Sequence, residues 1–405
     1  MRRLSIAPRD DWQGKVEAVG LTFHTLENGD AYWDESACYE FQAVEIDRLE
    51  AAGNTLQTMC LAAAQHVIDE KRYAELDIPE QAVEAIEWAW NNEPPALYGR
   101  FDIAWNGDGP PKLLEYNADT PTSLLEAAVV QWDWLKQVNP EADQLNSIHD
   151  RLIAKWKDLD PYLSKPVYFA GVASPEDQLT LAYLRDTAQQ AGLETLQMYM
   201  EEIGWNEERQ AFVDPNEDQM SSIFKLYPWE IMLDEEFGVH TLATYSDMRW
   251  IEPIWKMLLS NKGILPILWQ LYPNHELLLE AHFDVASGAS KNSEGWEQVS
   301  ARGSGAPAVL APMTHNLRNY VRKPLYSREG ANVTIVRDGA TEASTGGPYM
   351  GRQIVQALAP DAVFAGRHPV LGLWMIDQDC SGLGIRESAG PITDNLSSFV
   401  PHVLR

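Results

Sequence analysis

The sequence is poor in cysteine and in positive charge, and each shortage excludes a class of protein. Three cysteines occur among 405 residues, and they form neither a CxxC pair nor an even framework, so neither a thiolate zinc site nor a disulfide scaffold is predicted. Such cysteine usage favours a reducing cytoplasm. Lys and Arg number 31 against 60 Asp and Glu, a net charge of −29, which argues against a surface for nucleic acid or anionic membranes. The balance suits a cationic or amine partner; the alternative is an acidic surface that only keeps the protein in solution.

Long apolar runs and several familiar motifs are also missing. No run approaches the ~20 apolar residues of a membrane span, and the N-terminus turns polar too soon for a signal peptide. The sequence contains no HExxH or comparable histidine spacing, no GxSxG, no GxxxxGK[ST] and no GxGxxG. A histidine-held metal, a hydrolytic nucleophile and a Walker loop are therefore unsupported.

Apolar periodicity in the first part of the chain predicts helices followed by a hairpin. Apolar positions at helical spacing predict a long helix over residues 36–75 and a second over 81–91. Two β-rich runs, 98–105 and 112–117, flank the turn signals NGDGPP at 106–111 and predict a β-hairpin.

The rest of the chain predicts a small α/β unit and then a β-rich region. A strand, a helix opening at Ser174 and a further strand form an αβ unit, and the Trp-rich stretch 227–269 reads as largely helical. The segment 286–307 shows neither the helical nor the strand periodicity of apolar residues, which predicts an insertion or a mobile loop. Such a segment could be a lid or could be disordered. Later strands are predicted at 320–325, 333–337, 353–358 and 370–376. The predicted class is α+β, with a helical region and hairpin over 1–165, a small α/β lobe over 166–225, and a helical segment plus β-rich lobe over 226–405.

The hairpin carries the residues with the most chemistry. If Asp108 and Gly109 form a two-residue turn, Asp102 lies opposite Glu115 and Arg100 lies opposite Asn117, all on one face, whereas Phe101, Ile103, Leu114 and Tyr116 point toward a core. Two carboxylates and an amide oxygen are hard ligands suited to Mg²⁺, and the guanidinium beside them could stabilise a phosphoryl group in transfer. The alternative is a surface hairpin with a cross-strand ion pair. Two prolines, at 110 and 111, cannot donate to a ladder, so a looser turn could shift the register.

A second candidate site runs from Lys323 to a loop containing Gly330. A strand-borne lysine followed by such a loop can bring an ammonium group and backbone N–H groups to phosphate, although an ordinary hairpin turn would look the same. Lys262 and Arg386 are further cations that could meet a polyphosphate; each alone is also typical of an exposed side chain with a buried stem.

Six segments together resemble a known family. In order they are YGRFD at 98–102, LLEYNADTPTS at 113–123, FKLYPWE at 224–230, SNKGILP at 260–266, KPLYSREGAN at 323–332 and GIRE at 384–387. They resemble the glutathionylspermidine synthase family, most closely its stand-alone bacterial members described as acid–amine ligases, over nearly the whole chain.

This resemblance implies a fold and a chemistry. It implies a permuted, glutathione-synthetase-like ATP-grasp fold with a small inserted lobe, and ATP-dependent amide formation between a carboxylic acid, for example a peptide, and an amine, for example a polyamine. The γ-phosphate of ATP is transferred to the acid, and the amine then displaces phosphate. Mg²⁺ and ATP are the implied cofactors; no nucleic acid or membrane partner is implied.

The resemblance also implies site residues. Arg100 is the implied catalytic residue, and the implied metal ligands are Asp102, Glu115 and Asn117. The implied cofactor-binding residues are Arg100, Phe101, Asp102, Lys262, Lys323, Gly330, Gln356, which matches the adenine-lining segment, and Arg386.

The sequence departs from the family pattern in three places. No amidase region precedes the synthetase-like region, so no amidase activity is predicted. The segment 286–307 is longer than in close relatives. The acid and amine pockets match least, so neither glutathione nor spermidine is assumed; Glu176, Asp177 and Glu230 are candidate contacts for a cationic amine, and the first two are equally explained as first-turn helix acids. A non-catalytic nucleotide-binding protein and an ATPase or kinase-like phosphotransferase remain open alternatives.

Overall fold

A computed structural model describes residues 1–284, 289–292, 295–298 and 316–405. These residues form a mixed helix and sheet protein, as predicted. The helices, with short 3₁₀ turns between some of them, are Trp12–Ala18 (α1), Ala43–Asp69 (α2), Val83–Asn92 (α3), Gln131–Val138 (α4), Ile148–Leu159 (α5), Pro175–Gln190 (α6), Trp229–Met232 (α7), Gly238–Ala243 (α8), Met257–Ser260 (α9) and Ile264–Leu271 (α10). A π-helical turn, Glu126–Val130, precedes α4.

The strands fall into several small sheets. In chain order they are Arg2–Ser5 (β1), Ala37–Phe41 (β2), Tyr98–Ala104 (β3), Lys112–Asn117 (β4), Val167–Gly171 (β5), Thr195–Tyr199 (β6), Gly204–Asn206 (β7), Ala211–Val213 (β8), Ser222–Leu226 (β9), Arg249–Ile251 (β10), Ala281–Asp284 (β11), Ala289–Asn292 (β12), Gly295–Gln298 (β13), Tyr320–Pro324 (β14), Thr334–Arg337 (β15), Ala340–Ser344 (β16), Gln353–Ala357 (β17), His368–Ile376 (β18), Asp379–Ser388 (β19), Ser398–Phe399 (β20) and His402–Leu404 (β21).

Two antiparallel sheets carry the candidate site. The predicted hairpin, β3 and β4, forms the edge of a sheet in the order β20-β19-β18-β3-β4, and Lys323 and Gln356 lie on neighbouring strands of a second sheet, in the order β11-β17-β14-β15-β16. The helix α2 packs against β18 and β19. Tyr116 shows which face of the hairpin is turned toward this helix, because its hydroxyl donates to Gln57 Oε1 at 2.8 Å.

A third sheet is parallel, in the order β10-β9-β5-β6. Strand β5, helix α6 and strand β6 form the predicted αβ unit, and Ser174 caps α6 by accepting from the Asp177 backbone N–H at 3.2 Å. The predicted boundary between 225 and 226 falls inside β9 of this sheet. The sheet also contains β10, which lies beyond that boundary in the chain. The hairpin in turn pairs with β18. The three predicted regions therefore share sheets rather than each forming its own.

Two predicted helical segments differ from the structure. The stretch 37–41 is strand β2, buried throughout and paired with both β1 and β21, because a short apolar run fits a buried strand as well as a helix turn. The Trp-rich stretch contains four short helices and strand β10 rather than a largely continuous helix. Prolines at 228 and 253 account for two of the breaks, since proline fits only the first turn of a helix.

The predicted insertion 286–307 lies mostly outside the described residues. Within it, β12 and β13 pair antiparallel; the role of the segment as an inserted lid stays a prediction. Cys38, Cys60 and Cys380 are buried free thiols. Among the described helices, none combines the length and apolar character of a membrane span.

Candidate active site

One cavity of about 510 Å³ brings together most of the residues singled out from the sequence. Its walls come from the hairpin, from β14 and β17, from the loop after β14, from β18 and β19, and from the start of α6. The sequence-predicted residues that line it are Arg100, Asp102, Glu115, Asn117, Glu176, Asp177, Lys262, Lys323, Gly330, Gln356 and Arg386. Residues up to 286 positions apart in the chain thus meet at a single site.

The hairpin register at the site is the predicted one. Arg100 pairs with Asn117 and Asp102 with Glu115, so all four share the face that lines the cavity. The turn is longer than two residues, and a β-bulge between Asp102 and Ile103 takes up the difference.

The bulge reverses one predicted orientation. Ile103 pairs with Leu113 rather than with Leu114. Leu113 is therefore buried, and Leu114, predicted to face the core, lines the cavity instead. An extra residue in one strand of a ladder shifts the alternation of side chains on that strand, which accounts for the exchange.

Arg100 forms the centre of a hydrogen-bonded cluster on the hairpin. Its Nε and Nη2 donate to the two carboxylate oxygens of Asp102 at 2.6 and 2.9 Å, and its Nη1 donates to the Thr122 carbonyl at 2.7 Å. The guanidinium carbon lies 5.6 Å from the ring centroid of Trp374, a cation–π distance. This two-pronged contact with Asp102 fixes the plane of the guanidinium at the cavity wall.

The acidic groups converge on the side chain of Asn117. Its amide nitrogen donates to Asp102 Oδ2 at 3.2 Å and to Glu115 Oε1 at 3.3 Å. A half-turn of this amide would direct its oxygen to the same place. The set of two carboxylates and one amide oxygen fits Mg²⁺ that keeps water and takes further ligands from phosphate. No group of three or more His, Cys, Asp and Glu side chains able to hold a metal occurs in the described part of the chain.

Two lysines face these acids from other elements. Lys262 Nζ lies 3.0 Å from Glu115 Oε2 and donates to the Ser327 carbonyl at 2.7 Å. Lys323 Nζ donates to the Leu114 carbonyl at 3.1 Å and to Gln356 Oε1 at 2.9 Å. Both lysines are thereby held beside the acids of the hairpin, with positive charge directed at the cavity.

Burial and charge act together on the titration of this cluster. Burial raises the pKa of Glu115, but the ammonium groups of Lys262 and Lys323 outweigh it and bring the pKa to about 2. Burial lowers the pKa of Lys323 to about 8, although Glu115 opposes the shift. At neutral pH Glu115 is therefore ionised and Lys323 mostly protonated, the states that a metal ligand and a phosphate contact require.

Gln356 joins the second sheet to the hairpin. Its amide nitrogen donates to the Leu113 carbonyl at 2.9 Å while its oxygen accepts from Lys323. It is 1% exposed, so this bridge is enclosed in the protein at the back of the cavity. A contact with adenine stays a prediction.

Arg386 and the Gly330 loop lie on another wall. Arg386 Nη2 donates to the Asp394 carbonyl at 2.5 Å. Gly330 has φ of +68°, and a Cβ built there would lie 2.4 Å from the Thr393 carbonyl oxygen. The loop packs against residues near Thr393 so tightly that only glycine fits.

Phe101 differs from the other predicted site residues. Its side chain is fully buried and stacked on Tyr116, with ring centroids 3.9 Å apart, on the face opposite the cavity. The alternation of side chains along a strand places it there. Phe101 is therefore not among the residues that line the cavity, and a contact between this residue and the cofactor stays a prediction.

The structure adds residues to which the sequence assigned no role. Arg328 lines the cavity and donates to Thr120 Oγ1 at 2.9 Å and to Glu230 Oε1 at 2.6 Å. The carboxylate of Glu230 is therefore already paired with a guanidinium, so Glu230 is not a free acidic group waiting for a substrate amine. The position of Arg328 within the KPLYSREGAN segment was a signal that could have indicated it. Trp374 lay in a predicted strand, but its contact with Arg100 depends on a strand pairing that spacing cannot show.

Comparison with known proteins identifies the family to which the chain is similar. The model of a family described as "Glutathionylspermidine synthase preATP-grasp" matches residues 3–405. A Haemophilus influenzae protein described as "Putative acid--amine ligase" is 37% identical over 417 residues, covering 99% of each chain. The trypanothione synthetase of Crithidia fasciculata is 29% identical, covering 84% of this chain and 52% of that protein. The bifunctional glutathionylspermidine synthetase/amidase of Escherichia coli is 27% identical, and the match covers 62% of this chain and 44% of that protein.

The chain belongs to the glutathionylspermidine synthase family. The resemblance inferred from the six segments is confirmed, and the chain is placed among ATP-dependent ligases that form C–N bonds. The chain spans about half the length of the trypanothione synthetase and less than half of the bifunctional enzyme.

Proposed function

We propose that this protein joins a small carboxylic acid to an amine in an ATP- and Mg²⁺-dependent reaction that passes through an acyl phosphate. The observation that carries the proposal is the single cavity in which Arg100, Lys262 and Lys323 surround the acids of the hairpin. Such a concentration of cations beside hard metal ligands suits a metallated triphosphate, where positioning and charge supply most of the rate gain. The fold we propose is a permuted ATP-grasp, with the metal-binding hairpin ahead of the strands that carry Lys323 and Gln356.

The protein's residues divide the work of the first step. An oxygen of the substrate carboxylate attacks the γ-phosphorus of ATP, the bond to the β,γ-bridging oxygen breaks, and an acyl phosphate and ADP result. Asp102, Glu115 and Asn117 would hold Mg²⁺, whose charge offsets that of the phosphate oxygens. Arg100 and Lys323 stabilise the charge that spreads over the transferred group.

In the second step the amine nitrogen attacks the acyl carbon. Phosphate leaves, and the nitrogen gives up a proton, so the products are an amide and inorganic phosphate. Phosphate is a far better leaving group than hydroxide, which is why the acid is activated first. The loop around Gly330 would keep water from the acyl phosphate.

The amine is proposed to bind at the start of α6. Glu176 and Asp177 line the cavity there, and the net charge of −29 favours a cationic partner. Burial and the neighbouring Glu176 raise the pKa of Asp177 to about 6, so a cation that binds between these acids would relieve their mutual repulsion. A polyamine is one amine of suitable charge, and a peptide is one suitable acid.

Incubation with ATP, Mg²⁺ and pools of acids and amines tests the proposal. We expect ADP release that requires both an acid and an amine, with a condensed product lighter by one water than their sum in mass spectra. A parallel reaction with a chelator should show neither. ADP release that no acid or amine affects would indicate a phosphotransferase or ATPase, and nucleotide binding without turnover would indicate a non-catalytic binding protein.

Gly330→Ala should impair the loop. The positive φ and the 2.4 Å approach to the Thr393 carbonyl leave no space for a methyl group, so the loop must move away from its seat. We expect turnover to fall by ~10-fold or more, by analogy with other lid displacements, with little change in melting temperature. Gly339→Ala is a suitable control because Gly339 also has a positive φ, +79°, but nothing lies within 4 Å of its built Cβ. An equal loss of turnover in both variants would show that backbone strain is responsible, and not the contact between the loop and Thr393.

A further inference from the structure

The open end of the hairpin is held by two buried ion pairs that the proposed reaction does not use. One joins Lys256 to Glu252, and the other joins Lys225 to Asp119. None of these four residues is more than 6% exposed.

The first pair holds the beginning of β3. The Glu252 carboxylate accepts from the backbone N–H of Leu97 at 3.0 Å and from that of Tyr98 at 3.1 Å. Lys256 Nζ, paired with this carboxylate, also donates to the Tyr98 carbonyl at 2.7 Å. Both backbone groups of Tyr98 are therefore held two residues before Arg100.

The second pair holds the chain just after β4. Asp119 lies two residues beyond Asn117, and its Oδ1 accepts from Lys225 Nζ at 2.7 Å. Lys225 also donates to the Tyr227 carbonyl at 2.9 Å. This pair therefore fixes the strand that carries Glu115 and Asn117.

Trp229 connects the two pairs. Its backbone N–H donates to Asp119 Oδ2 at 3.1 Å, and its indole N–H donates to the Glu252 carbonyl at 2.9 Å. Lys225 Nζ lies 4.7 Å from its ring centroid. Lys225 lies on β9, and Trp229 and Glu252 lie after β9 and β10, which are parallel neighbours. The carboxyl edge of the parallel sheet therefore contacts both ends of the hairpin at once.

Stability alone is a poor explanation for this arrangement. Removing charges from water costs several kcal/mol per ion in general, and apolar replacements of a buried ion pair are often equally stable. A fully hydrogen-bonded network, however, allows only one arrangement of the groups that it joins. Here the joined groups are the two strands whose spacing sets Arg100 against Asn117.

We propose that Asp119, Lys225, Trp229, Glu252 and Lys256, together the hairpin clamp, are positioning residues that hold the metal- and phosphate-binding hairpin in register with the parallel sheet. This inference rests on the proposed function, because it assigns the clamp to the Mg²⁺-nucleotide site. The clamp residues act through Arg100, Asp102 and Asn117, which face the cavity.

The first test replaces one pair by uncharged groups of similar size. Glu252→Gln with Lys256→Met should fold, since no unpaired charge remains, yet should weaken Mg²⁺-dependent ADP binding ~10- to 100-fold, the range found for residues that support metal ligands. Calorimetric titration of the purified protein with ADP, with and without Mg²⁺, measures this, and thermal melting reports stability. Turnover should fall by a similar factor at saturating ATP.

A matched control is the Arg9–Glu35 pair. Glu35 is 2% exposed, accepts from the Arg9 backbone N–H and pairs with the Arg9 side chain, which is 5% exposed and also pairs with the partly exposed Asp133, but none of these groups belongs to the clamp. Glu35→Gln with Arg9→Met should leave Mg²⁺-dependent ADP affinity within ~2-fold of wild type, the change expected away from the site. If the two double variants bind alike, the clamp proposal is wrong. If wild-type protein shows no Mg²⁺-dependent binding at all, the proposed function fails first and the clamp with it.

A gentler test is available if the double variant does not fold. Trp229→Phe keeps the apolar ring but removes the bridge to Glu252, whereas Trp250→Phe removes a buried indole N–H that has no partner among the described residues. We expect Trp229→Phe to weaken Mg²⁺-dependent ADP binding ~3- to 10-fold and Trp250→Phe to leave it unchanged, in keeping with the cost of one lost hydrogen bond. Equal affinity in the two variants would overturn the proposal.

Discussion

Replacing Arg100 by alanine should lower turnover by ~100-fold or more and leave the protein folded. A cationic donor already oriented toward the transferred phosphoryl group contributes on this scale in other enzymes. Arg100 is oriented before substrate arrives, by both Asp102 oxygens and the Thr122 carbonyl. Its removal leaves these groups at a cavity wall, where water can reach them. ADP release at saturating ATP and Mg²⁺ measures the effect.

Two further variants separate orientation from charge. Arg100→Lys keeps the charge but cannot form the two-pronged contact with Asp102, so it should restore only part of the activity. Gly372→Ala keeps Arg100 itself, but its Cβ would lie 2.9 Å from Arg100 Cδ and displace the guanidinium. Both should lower turnover, whereas Arg151→Ala, at an exposed ion pair with Asp379, should not. Wild-type turnover in Gly372→Ala would show that the present position of the guanidinium is not needed.

Local patterns were enough to predict the hairpin and the residues on its cavity face. The alternation of side chains along two short strands shows which of them share a face. It predicted Asp102 opposite Glu115, as observed, although the turn is longer than two residues. The β-bulge after Asp102 compensated for that turn; the prolines at 110 and 111 indicated a looser turn, but the residue types do not show where the register shifts. Leu114 was therefore assigned to the wrong face.

Contacts between distant segments could not be predicted from the sequence. The strand at 370–376 was expected, but its pairing with β3, which puts Trp374 beside Arg100 and Gly372 beside Asp102, follows from the assembled sheet. The hairpin clamp is a similar case, since Lys225 lies 106 positions from Asp119 and Glu252 lies 155 positions from Leu97. Motif resemblance did indicate which distant residues meet at the cavity, because the family's segments carry that long-range information.

Replacing Glu115 by glutamine should remove most activity through the metal and not through the fold. The substitution keeps the size of the side chain but removes a charge that faces both Lys262 and Lys323. With one carboxylate left in the metal set, we expect the Mg²⁺ concentration for half-maximal activity to rise ~10-fold or more and turnover to fall ~100-fold, as changes around metal sites commonly do. Activity measured over a range of Mg²⁺ concentrations checks both effects.

The same substitution at Glu176 provides the comparison. Glu176 lines the cavity at the start of α6, on a different element from the hairpin acids, so Glu176→Gln should leave the Mg²⁺ dependence unchanged and raise the KM for the amine instead. A loss of turnover in Glu115→Gln without any shift in Mg²⁺ dependence would mean that Glu115 serves to balance the two lysines. The metal would then be held by Asp102, Asn117 and the nucleotide, with Asp102 as the one carboxylate ligand from the protein.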